Sequence, residues 1–315
     1  MKQASDKYMN PKISVIIPCF NYGRFIEETV YSALAQTFKD YEIIIIDDGS
    51  TDSHTIETLN KIEKEHPEIK IIYQLNGHLS NARNNAIKAS RGEFFFPLDA
   101  DDTIEPTILE KCYEVISKEP KLGLVYTYMH YFGSEDLVWK NQEYNFYDLL
   151  WANHPSVCAL IRKKAWEEIG GYDEDMKDGY EDWEFWIRLG KYGWFGKLVR
   201  EPLYNYRRHA QSMISRSELK HDSIVRYIRN KHKGLYEKES LRHIKKIWKS
   251  DCNSSFLSFL RSRLEAAGLL DRELWKNHPL KAAGRCMPAR LKSKINSLFK
   301  KRHKHNDSPA SSSSS

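Results

Sequence analysis

The chain has 315 residues, of which 41% are hydrophobic and 12% aromatic. That is enough apolar material for one large α/β core with a smaller appended unit. No run approaches the roughly 18 apolar residues of a membrane span, and the opening MKQASDKYMNPK contains no apolar signal-peptide stretch. We therefore expect a cytoplasmic protein that is at most peripheral on the inner face of a membrane.

The charge is unevenly distributed along the chain. From Arg216 onward there are 24 of the 49 Lys and Arg residues but only 9 of the 43 Asp and Glu residues, a net charge of +15, whereas the preceding part carries −9. A basic arm of this kind prefers anionic surfaces, either lipid headgroups or nucleic acid. We expect a catalytic domain over 1–215, a basic helical extension over 216–300 and a disordered tail over 301–315, whose composition cannot build a core.

The cysteines give no sign of a disulfide framework or a zinc site. They are odd in number and lack metal-ligand spacing, which favours reduced thiols. The five are Cys19, Cys112, Cys158, Cys252 and Cys286.

Short β-branched runs alternate with amphipathic segments along the first half of the chain. Strands are predicted over 12–18, 41–46, 69–73, 93–98 and 122–132, and helices after Asn21 and over 54–65, 79–90 and 106–118. Asn21 is the expected cap of the first helix and Ser80 that of the third. Strands about 30 residues apart with a helix between them predict an α/β fold with a doubly wound, mostly parallel sheet.

Polar clusters follow three of these strands. They are Pro18-Cys19-Phe20-Asn21, DDGSTD from Asp47 to Asp52, and DADD from Asp99 to Asp102. Ligands of open parallel sheets bind beyond the carboxyl ends of the strands. Asp47 and Asp48 can accept hydrogen bonds from a ribose hydroxyl or a base N–H, although turn and helix-cap roles account for DDGSTD equally well.

Asp99 and Asp101 form the candidate cation site. Alternating residues of an extended segment point the same way, so both carboxylates can face one Mg²⁺ or Mn²⁺ that also holds a diphosphate. A solvated acidic loop is the alternative. The apolar run EFFFPL that precedes the cluster favours the site, because an exposed loop does not need a buried strand before it.

Arg83 lies near the start of the third predicted helix, in NGHLSNARN. Its donors can grip phosphate oxygens or a base carbonyl. An ordinary surface arginine is the alternative. A cation at the start of a helix is mildly unfavourable for stability, which favours a functional role for Arg83.

Glu181 and Asp182 open the helix predicted for EDWEFWIRLGKYG. The helix macrodipole stabilises carboxylates in the first turn, which explains them by stability alone. The same field keeps the acid ionised near neutrality, as a general base requires. Trp183 and Trp186 are expected in the core.

His209, in LYNYRRHAQS, follows a run that predicts a short apolar strand. A neutral imidazole there is a candidate metal ligand. A lone histidine is also common on a surface or in a core, and both interpretations stay open.

The ordered series PCFN, DDGSTD, NGHLSNARN, DADD and GGYDEDMKDGYEDWEF resembles the family 2 glycosyltransferases, which have the GT-A fold. The resemblance covers about Ile13 to Met213. It implies a nucleotide-sugar donor, commonly a UDP-sugar, a divalent cation (Mn²⁺ or Mg²⁺) and inversion at the anomeric carbon.

The resemblance also implies roles for individual residues. By similarity, the nucleoside side is lined by Pro18, Asn21, Glu28 and Asp48. Arg83 and Asp99 lie near base, ribose or phosphate, and Asp101 matches the metal-binding acid of the DXD element. Asp182 matches the catalytic base with Glu181 as supporting carboxylate or alternative base, and His209 matches a histidine that completes the metal shell in some members.

The chain departs from the processive members, since it lacks their Gln-x-x-Arg-Trp element and their membrane spans. Addition of a single sugar to a saccharide or lipid-linked saccharide is therefore expected, in surface polysaccharide or glycolipid synthesis. The basic extension is expected to meet an anionic membrane surface, with a solvated helical face or an oligomer contact as alternatives, and nucleic acid is not an expected partner.

Two other enzyme classes fit the motifs less well. A nucleotidyltransferase or a dehydrogenase requires a Gly-rich loop after the first strand, where only Gly23 is present. A noncatalytic nucleotide-sugar-binding or scaffold protein is the remaining alternative.

Overall fold

The computed structural model describes residues 10–209, 217 and 219–248. The strands are β1 Ile13–Cys19, β2 Tyr41–Asp47, β3 Lys70–Tyr73, β4 Phe94–Pro97, β5 Thr103–Ile104, β6 Leu122–Gly133, β7 Leu137–Trp139, β8 Ala159–Arg162 and β9 Phe195–Arg208. The helices are α1 Gly23–Leu34, α2 Ser53–Glu65, α3 His78–Lys88, α4 Ile108–Ile116, α5 Phe146–Leu149, α6 Lys163–Ile169, α7 Glu181–Lys191, α8 His221–Lys231 and α9 Lys238–Trp248, with a 3-10 helix Lys233–Tyr236 before α9.

The strands form one sheet in the order β3-β2-β1-β4-β8-β6-β9-β5, with β7 beside β6. The pairs β3-β2, β2-β1, β1-β4 and β6-β9 are parallel, whereas β8, β5 and β7 pair antiparallel to their neighbours. The sheet is therefore mixed. The expected parallel pairing is confirmed for β3-β2-β1-β4 and for β6-β9, whereas β8, β5 and β7 depart from it. After β6, a short hairpin returns the chain as β7, a connection that only antiparallel neighbours allow.

The core lies on both faces of the parallel half. All seven residues of β1 are buried, as expected for a strand covered by helices on both sides. Ile13, Val15 and Ile17 pack in the main apolar cluster with residues of α1 and α2. Ile16, which alternation directs to the opposite face, is fully buried too, and α3 contacts β1 and β2.

Two predicted helix caps are wrong. Asn21 has a left-handed φ of 60° and does not cap α1, whose N-cap is Tyr22 without a side-chain hydrogen bond. Ser80 lies inside the first turn of α3, after the N-cap Gly77, and its buried Oγ has no hydrogen-bond partner among the described residues. In both cases the helix starts at a residue other than the best capping side chain nearby, because tertiary contacts set the point of entry.

The described residues beyond Arg216 pack against the α/β part. Ile224, Ile228 and Ile244 are buried. Asn145 Nδ2 donates to the carbonyl of Trp248 at 3.1 Å, and the Trp248 ring lies 5.4 Å from that of Tyr144. The predicted domain boundaries remain predictions, since residues 249–315, including Cys252, Cys286 and the tail, lie outside the described residues. Cys19, Cys112 and Cys158 are buried free thiols.

None of the described helices is both long and apolar enough to cross a bilayer.

A buried ion cluster joins α7 to α8 and the turn after it. Glu184 is fully buried, and its carboxylate accepts hydrogen bonds from Arg188 Nε at 2.8 and 2.9 Å and from His232 Nε2 at 2.9 Å, with Lys231 Nζ at 3.0 Å. Burial alone would raise the pKa of Glu184, but the His232 hydrogen bond and the Arg188 charge overcome burial and lower the pKa to about 2. Glu184 and Arg188 are four residues apart on α7, which places both side chains on one face of the helix.

Glu184→Ala should lower the free energy of unfolding by about 3 to 5 kcal/mol, because it leaves the Arg188 cation, whose side chain is 12% exposed, without its partner. Chemical denaturation measures the loss. Glu57→Ala, which removes an exposed carboxylate from α2, is the matched control and should change stability by less than about 0.5 kcal/mol. Equal losses in the two variants would mean that the cluster contributes nothing specific.

Candidate active site

The loops after β1 and β2 are held together by Asn21. Its Oδ1 accepts the backbone N–H groups of Thr51 at 2.8 Å and Asp52 at 3.0 Å, and its own N–H donates to Ser50 Oγ at 2.9 Å. Asparagine tolerates the left-handed conformation that this geometry needs. Pro18, buried near the end of β1, lies beside Ile46 of β2. Both Pro18 and Asn21 are therefore at the carboxyl edge of the sheet.

Asp48 connects β2 to the start of α3. Its Oδ1 accepts hydrogen bonds from Gln74 Nε2 and from the Gly77 N–H, both at 2.7 Å, and the side chain is 4% exposed. The turn and cap interpretation of DDGSTD holds for its neighbours, because Asp47 accepts the Ser50 N–H at 3.2 Å and Asp52 caps α2.

Asp99 and Asp101 do not lie on an extended segment, and that expectation is wrong. The Asp102 N–H donates to the Asp99 carbonyl at 3.1 Å, so the chain turns here. As a result the two carboxylates face different partners. Asp99 Oδ1 accepts from Arg83 Nη2 at 2.6 Å, whereas Asp101 Oδ2 lies 2.8 Å from His209 Nε2.

Arg83 is fully buried, so the interpretation as a surface arginine is wrong. Its Nη1 donates to Glu181 Oε1 and its Nη2 to Asp99 Oδ1, each at 2.6 Å. Burial opposes the guanidinium charge, but the charges of Asp99 and Glu181 overcome it and hold the pKa of Arg83 well above its usual value. One side chain thus connects α3, the loop after β4 and the start of α7.

Asp101 and His209 offer a carboxylate and an imidazole at one point. Burial, reinforced by the charge of Asp99, raises the pKa of Asp101, and the His209 contact opposes the shift. His209 is packed by the Phe25 ring at 5.2 Å, and its buried Nδ1 has no hydrogen-bond partner in the described part of the chain. His209 follows β9, which is 14 residues long rather than the short strand expected.

Asp101 and His209 could supply at most two protein ligands to a divalent cation. No group of three or more His, Cys, Asp or Glu side chains within residues 10–209 and 219–248 could hold a metal ion. Mg²⁺ is commonly bound by one or two carboxylates together with substrate phosphates and water, and does not require a complete protein cage. A cation at Asp101 would therefore need a phosphate-bearing molecule to complete its coordination.

Arg207 is a site residue that the sequence analysis missed. Its Nε donates to the Asp101 carbonyl at 2.6 Å, its backbone N–H donates to Asp102 Oδ1 at 2.8 Å, and its guanidinium pairs with Glu28. Glu28 therefore lies on the Asp101 side of the site. The RR in LYNYRRH has no spacing that distinguishes it from ordinary surface arginines.

Asp182 lies in the first turn of α7, after Tyr180, whose left-handed φ of 60° is uncommon for a bulky residue. Its Oδ1 accepts the Trp183 N–H and its Oδ2 accepts Asn153 Nδ2, both at 2.8 Å. Burial and the charge of Glu181 raise the pKa of Asp182 to about 7, while these two hydrogen bonds oppose the rise.

The helix field is therefore not what sets the protonation of Asp182, because burial and the charge of Glu181 raise its pKa to about 7. A macrodipole contributes about 0.3 to 1 kcal/mol, less than the roughly 1.4 kcal/mol that moves a pKa by one. Desolvation and a neighbouring acid outweigh it. Trp183 and Trp186 are buried in the core, as predicted. Asn153 was missed, because the stretch from Phe132 to Lys177 has no regular pattern that marks it.

A cavity of about 650 Å³ lies between α3, α6 and α7 and is lined by Asn84, Trp166, Tyr172, Glu174 and Arg188, among others. None of the candidate residues lines this cavity. Volume is a weaker guide than position, because the strand-end cluster places buried acids, a buried arginine and perturbed pKa values at the carboxyl edge of the sheet, where ligands of α/β folds bind.

The sequence matches the family model described as glycosyl transferase family 2 over residues 14–178, more than half of the chain. The chain therefore belongs to this family, and the resemblance seen in the motifs is confirmed. It is similar to the chondroitin synthase of Escherichia coli, with 31% identity over 206 residues. That match covers 64% of this chain but only 30% of the synthase, so the chain spans less than a third of its relative.

Solved structures confirm a GT-A-like fold. S. aureus TarS 1–349, crystallised in complex with UDP-GlcNAc, matches with a TM-score of 0.59 and 18% identity over 87% of this chain and 80% of that one. The mannosyltransferase PcManGT from Pyrobaculum calidifontis, in complex with GDP-Man and Mn²⁺, matches with a TM-score of 0.56 and 16% identity over 94% and 81% of the two chains. At these identities the likeness shows the fold alone.

The pKa of Asp182, followed by ¹³C NMR of its carboxyl carbon, should be about 7 in the wild-type protein. Asn153→Ala should raise it by about 1 to 2 pH units, because a hydrogen bond to a charged group contributes about 1.5 to 3 kcal/mol and here favours the carboxylate. Asn205→Ala removes an amide that donates to a different carboxylate, Glu105, and should leave Asp182 unchanged. An unchanged titration in Asn153→Ala would contradict the role of this bond.

Proposed function

We propose that the protein is an inverting, metal-dependent glycosyltransferase that moves one sugar from a nucleotide-diphosphate sugar to an acceptor hydroxyl. The observation that carries the proposal is the buried Arg83, whose two ion pairs of 2.6 Å join Asp99 to Glu181. Through this link the acidic loop that contains Asp101 and the helix start that contains Asp182 are held at one edge of the sheet. Such an edge is where α/β proteins bind nucleotides.

The nucleoside lies, in this proposal, against Pro18, Asn21 and Asp48, with Glu28 at the side nearer Asp101. Asp48 is fixed by two hydrogen bonds of 2.7 Å, so its carboxylate is rigidly placed to receive a ribose or base donor. UDP is our preferred nucleotide, since the similar protein TarS was crystallised with UDP-GlcNAc. Arg83 and Asp99 border the phosphate side.

Asp101 and His209 would hold the cation, either Mn²⁺ or Mg²⁺. When bound, it supplies positive charge that stabilises the departing diphosphate. The similar protein PcManGT was solved in complex with Mn²⁺, which supports this choice of metal. Arg207 positions Asp101 by donating to its carbonyl.

Asp182 acts as the general base in this mechanism. It takes the proton of the acceptor hydroxyl while that oxygen attacks the sugar C1 from the face opposite the diphosphate, and one displacement inverts the centre. A pKa of about 7 suits the role, because a base is most effective when its pKa lies near the working pH. Glu181 supports it by raising that pKa and by fixing Arg83.

A saccharide or lipid-linked saccharide is the proposed acceptor, in surface polysaccharide or glycolipid synthesis. The basic residues beyond Arg216 would bring the enzyme to an anionic leaflet, each adding about 1 kcal/mol near such a surface. A noncatalytic nucleotide-sugar-binding protein is the alternative, and release of UDP from UDP-sugar with Mn²⁺ and without acceptor distinguishes the two. Binding with no release at all would favour the alternative.

Asp182→Asn should lower kcat by about 100-fold or more, the usual scale for loss of a positioned base, while donor affinity stays near that of the wild type. Steady-state transfer assays and donor titration measure the two quantities. Asp175→Asn, an exposed acid in the preceding loop, should leave kcat unchanged. Wild-type turnover in Asp182→Asn would remove Asp182 from the mechanism.

Asp101→Ala should weaken Mn²⁺ binding and donor binding together, by about 10-fold or more. Loss of a residue that only supports a metal ligand already costs about 10-fold in metal affinity, and loss of a ligand itself should cost at least as much. Donor titration with and without Mn²⁺ separates this from loss of the base. Asp136→Ala, an exposed acid that also contacts a histidine, His130, is the control. If donor affinity changes neither when Mn²⁺ is removed nor in Asp101→Ala, Asp101 does not bind the donor through a cation.

A further inference from the structure

An aromatic cluster with one exposed ring, that of Trp151, lies two residues from Asn153, the residue whose amide contacts Asp182. We name it the Trp151 platform and define it as Tyr147, Trp151, Tyr236 and Arg229. Trp151 is 41% exposed although its ring lies 6.2 Å from that of Tyr147 and 5.9 Å from that of Tyr236. We propose that this platform is the acceptor subsite and that it takes a saccharide bearing a carboxylate or phosphate group. The proposal rests on the proposed function.

The platform is close to Asp182 because of chain connectivity. Asn153 donates its amide to Asp182 Oδ2 at 2.8 Å. Trp151 is two residues earlier than Asn153, so the Cα atoms of these two residues lie within about 7.6 Å of each other. The platform and the side chain that contacts the proposed base therefore belong to one short segment, and in this proposal one acceptor chain meets both.

Hydrogen bonds fix the turn that presents Trp151. Trp183 Nε1, on α7, donates to the Leu149 carbonyl at 2.7 Å, and the Tyr236 hydroxyl donates to the Leu150 carbonyl at 3.0 Å. The turn is thus attached on one side to the helix that carries Asp182 and on the other to the segment before α9. A preformed surface of this kind loses little entropy when a ligand binds.

Asn153 supplies an unsatisfied polar atom beside the platform. Its Nδ2 is used by Asp182, but its Oδ1 is buried and has no hydrogen-bond partner within residues 10–209 and 219–248. A buried acceptor without a donor costs about 1 to 3 kcal/mol. A hydroxyl of the bound saccharide is the donor that we assign to it.

The chemistry of the platform suits a charged sugar. One face of a pyranose ring presents C–H groups that stack on the apolar body of a tryptophan, whose rigid ring gives large contact area. The Arg229 guanidinium lies 5.6 Å from the Trp151 centroid and 5.8 Å from that of Tyr236. Its planar donors match carboxylate or phosphate oxygens.

No ion pair occupies Arg229 within the described part of the chain, whereas Lys231 on the same helix pairs with Asp173 and Glu184. The segment 219–248 contains nine Lys and Arg residues against three Asp and Glu residues. The acids nearest the platform in the chain are Glu237, which is exposed, and Asp148, which is buried. The excess of positive charge favours an anionic acceptor over a neutral one.

Binding of three soluble probes to the full-length protein with UDP and Mn²⁺ tests the proposal by calorimetry. They are a hexasaccharide containing uronic acid, a glycerol phosphate hexamer and neutral maltohexaose. At least one anionic probe should bind 10-fold or more tightly than maltohexaose. Equal binding of neutral and anionic probes, or no binding of either anionic probe, would overturn the assignment.

Variants identify the surface that binds. Trp151→Ala should weaken the preferred probe about 10-fold or more, with most affinity restored in Trp151→Phe, and Arg229→Gln should weaken it about 10-fold, on the scale of a lost charged hydrogen bond. Arg226→Gln removes the same charge from the same helix at a position outside the platform, and Tyr192→Ala removes a 57% exposed ring. Both should stay within about two-fold of the wild type. An equal loss of affinity in Arg226→Gln would mean that the overall positive charge of the helix, and not the Trp151 platform, attracts the probe.

Phosphatidylglycerol vesicles test the competing occupant. If they bind the wild-type protein with the same dependence on Trp151 while the soluble probes do not bind, the platform is a membrane contact and our assignment is wrong. Release of UDP by the wild-type protein is measured separately. Failure there refutes the proposed transferase, whereas normal UDP release with failed probe binding refutes only the acceptor subsite.

Discussion

The site depends on one fully buried cation. Arg83 carries its charge out of water and is stabilised there only because Asp99 and Glu181 each lie 2.6 Å from its guanidinium. Removing either carboxylate would leave an unpaired buried charge, which is among the costliest defects a core can contain. The constraint is therefore mutual, since the arginine holds both acids in place and the acids keep α3, the loop after β4 and α7 in register.

Two acids of α7 show how local charge decides protonation. Glu184 meets Arg188, Lys231 and His232, and its pKa falls to about 2. Asp182, two residues earlier, meets Glu181 instead, and burial with that neighbouring charge raises its pKa to about 7. The helix dipole acts on both, so it cannot account for the difference. The pKa values of Glu184 and of Asp182, the proposed base, differ because charges of opposite sign surround the two carboxylates.

The described helices beyond Arg216 pack on the domain that contains the candidate site. His232 completes the ion cluster of Glu184, and the Tyr236 hydroxyl holds the turn that leads to Asn153. A segment that composition presents as a basic appendage therefore contributes to the surroundings of Asp182. The Lys and Arg residues of this segment lie mainly on its exposed face. Its few buried residues, such as Ile228 and Ile244, attach it to the α/β part.

Apart from the two-residue strand β5, the sequence by itself determined the strands and helices of the first 133 residues to within about two residues at most ends, because periodicity is a property of neighbouring positions. It also located the acidic clusters at strand ends, and the family resemblance ranked their residues. Only the tertiary structure decided that Asn21 joins two loops, that three strands pair antiparallel, that Arg83 is buried and that Asn153 touches Asp182. These outcomes depend on residues 29 to 98 positions apart and on desolvation, and neither leaves a local pattern in the chain.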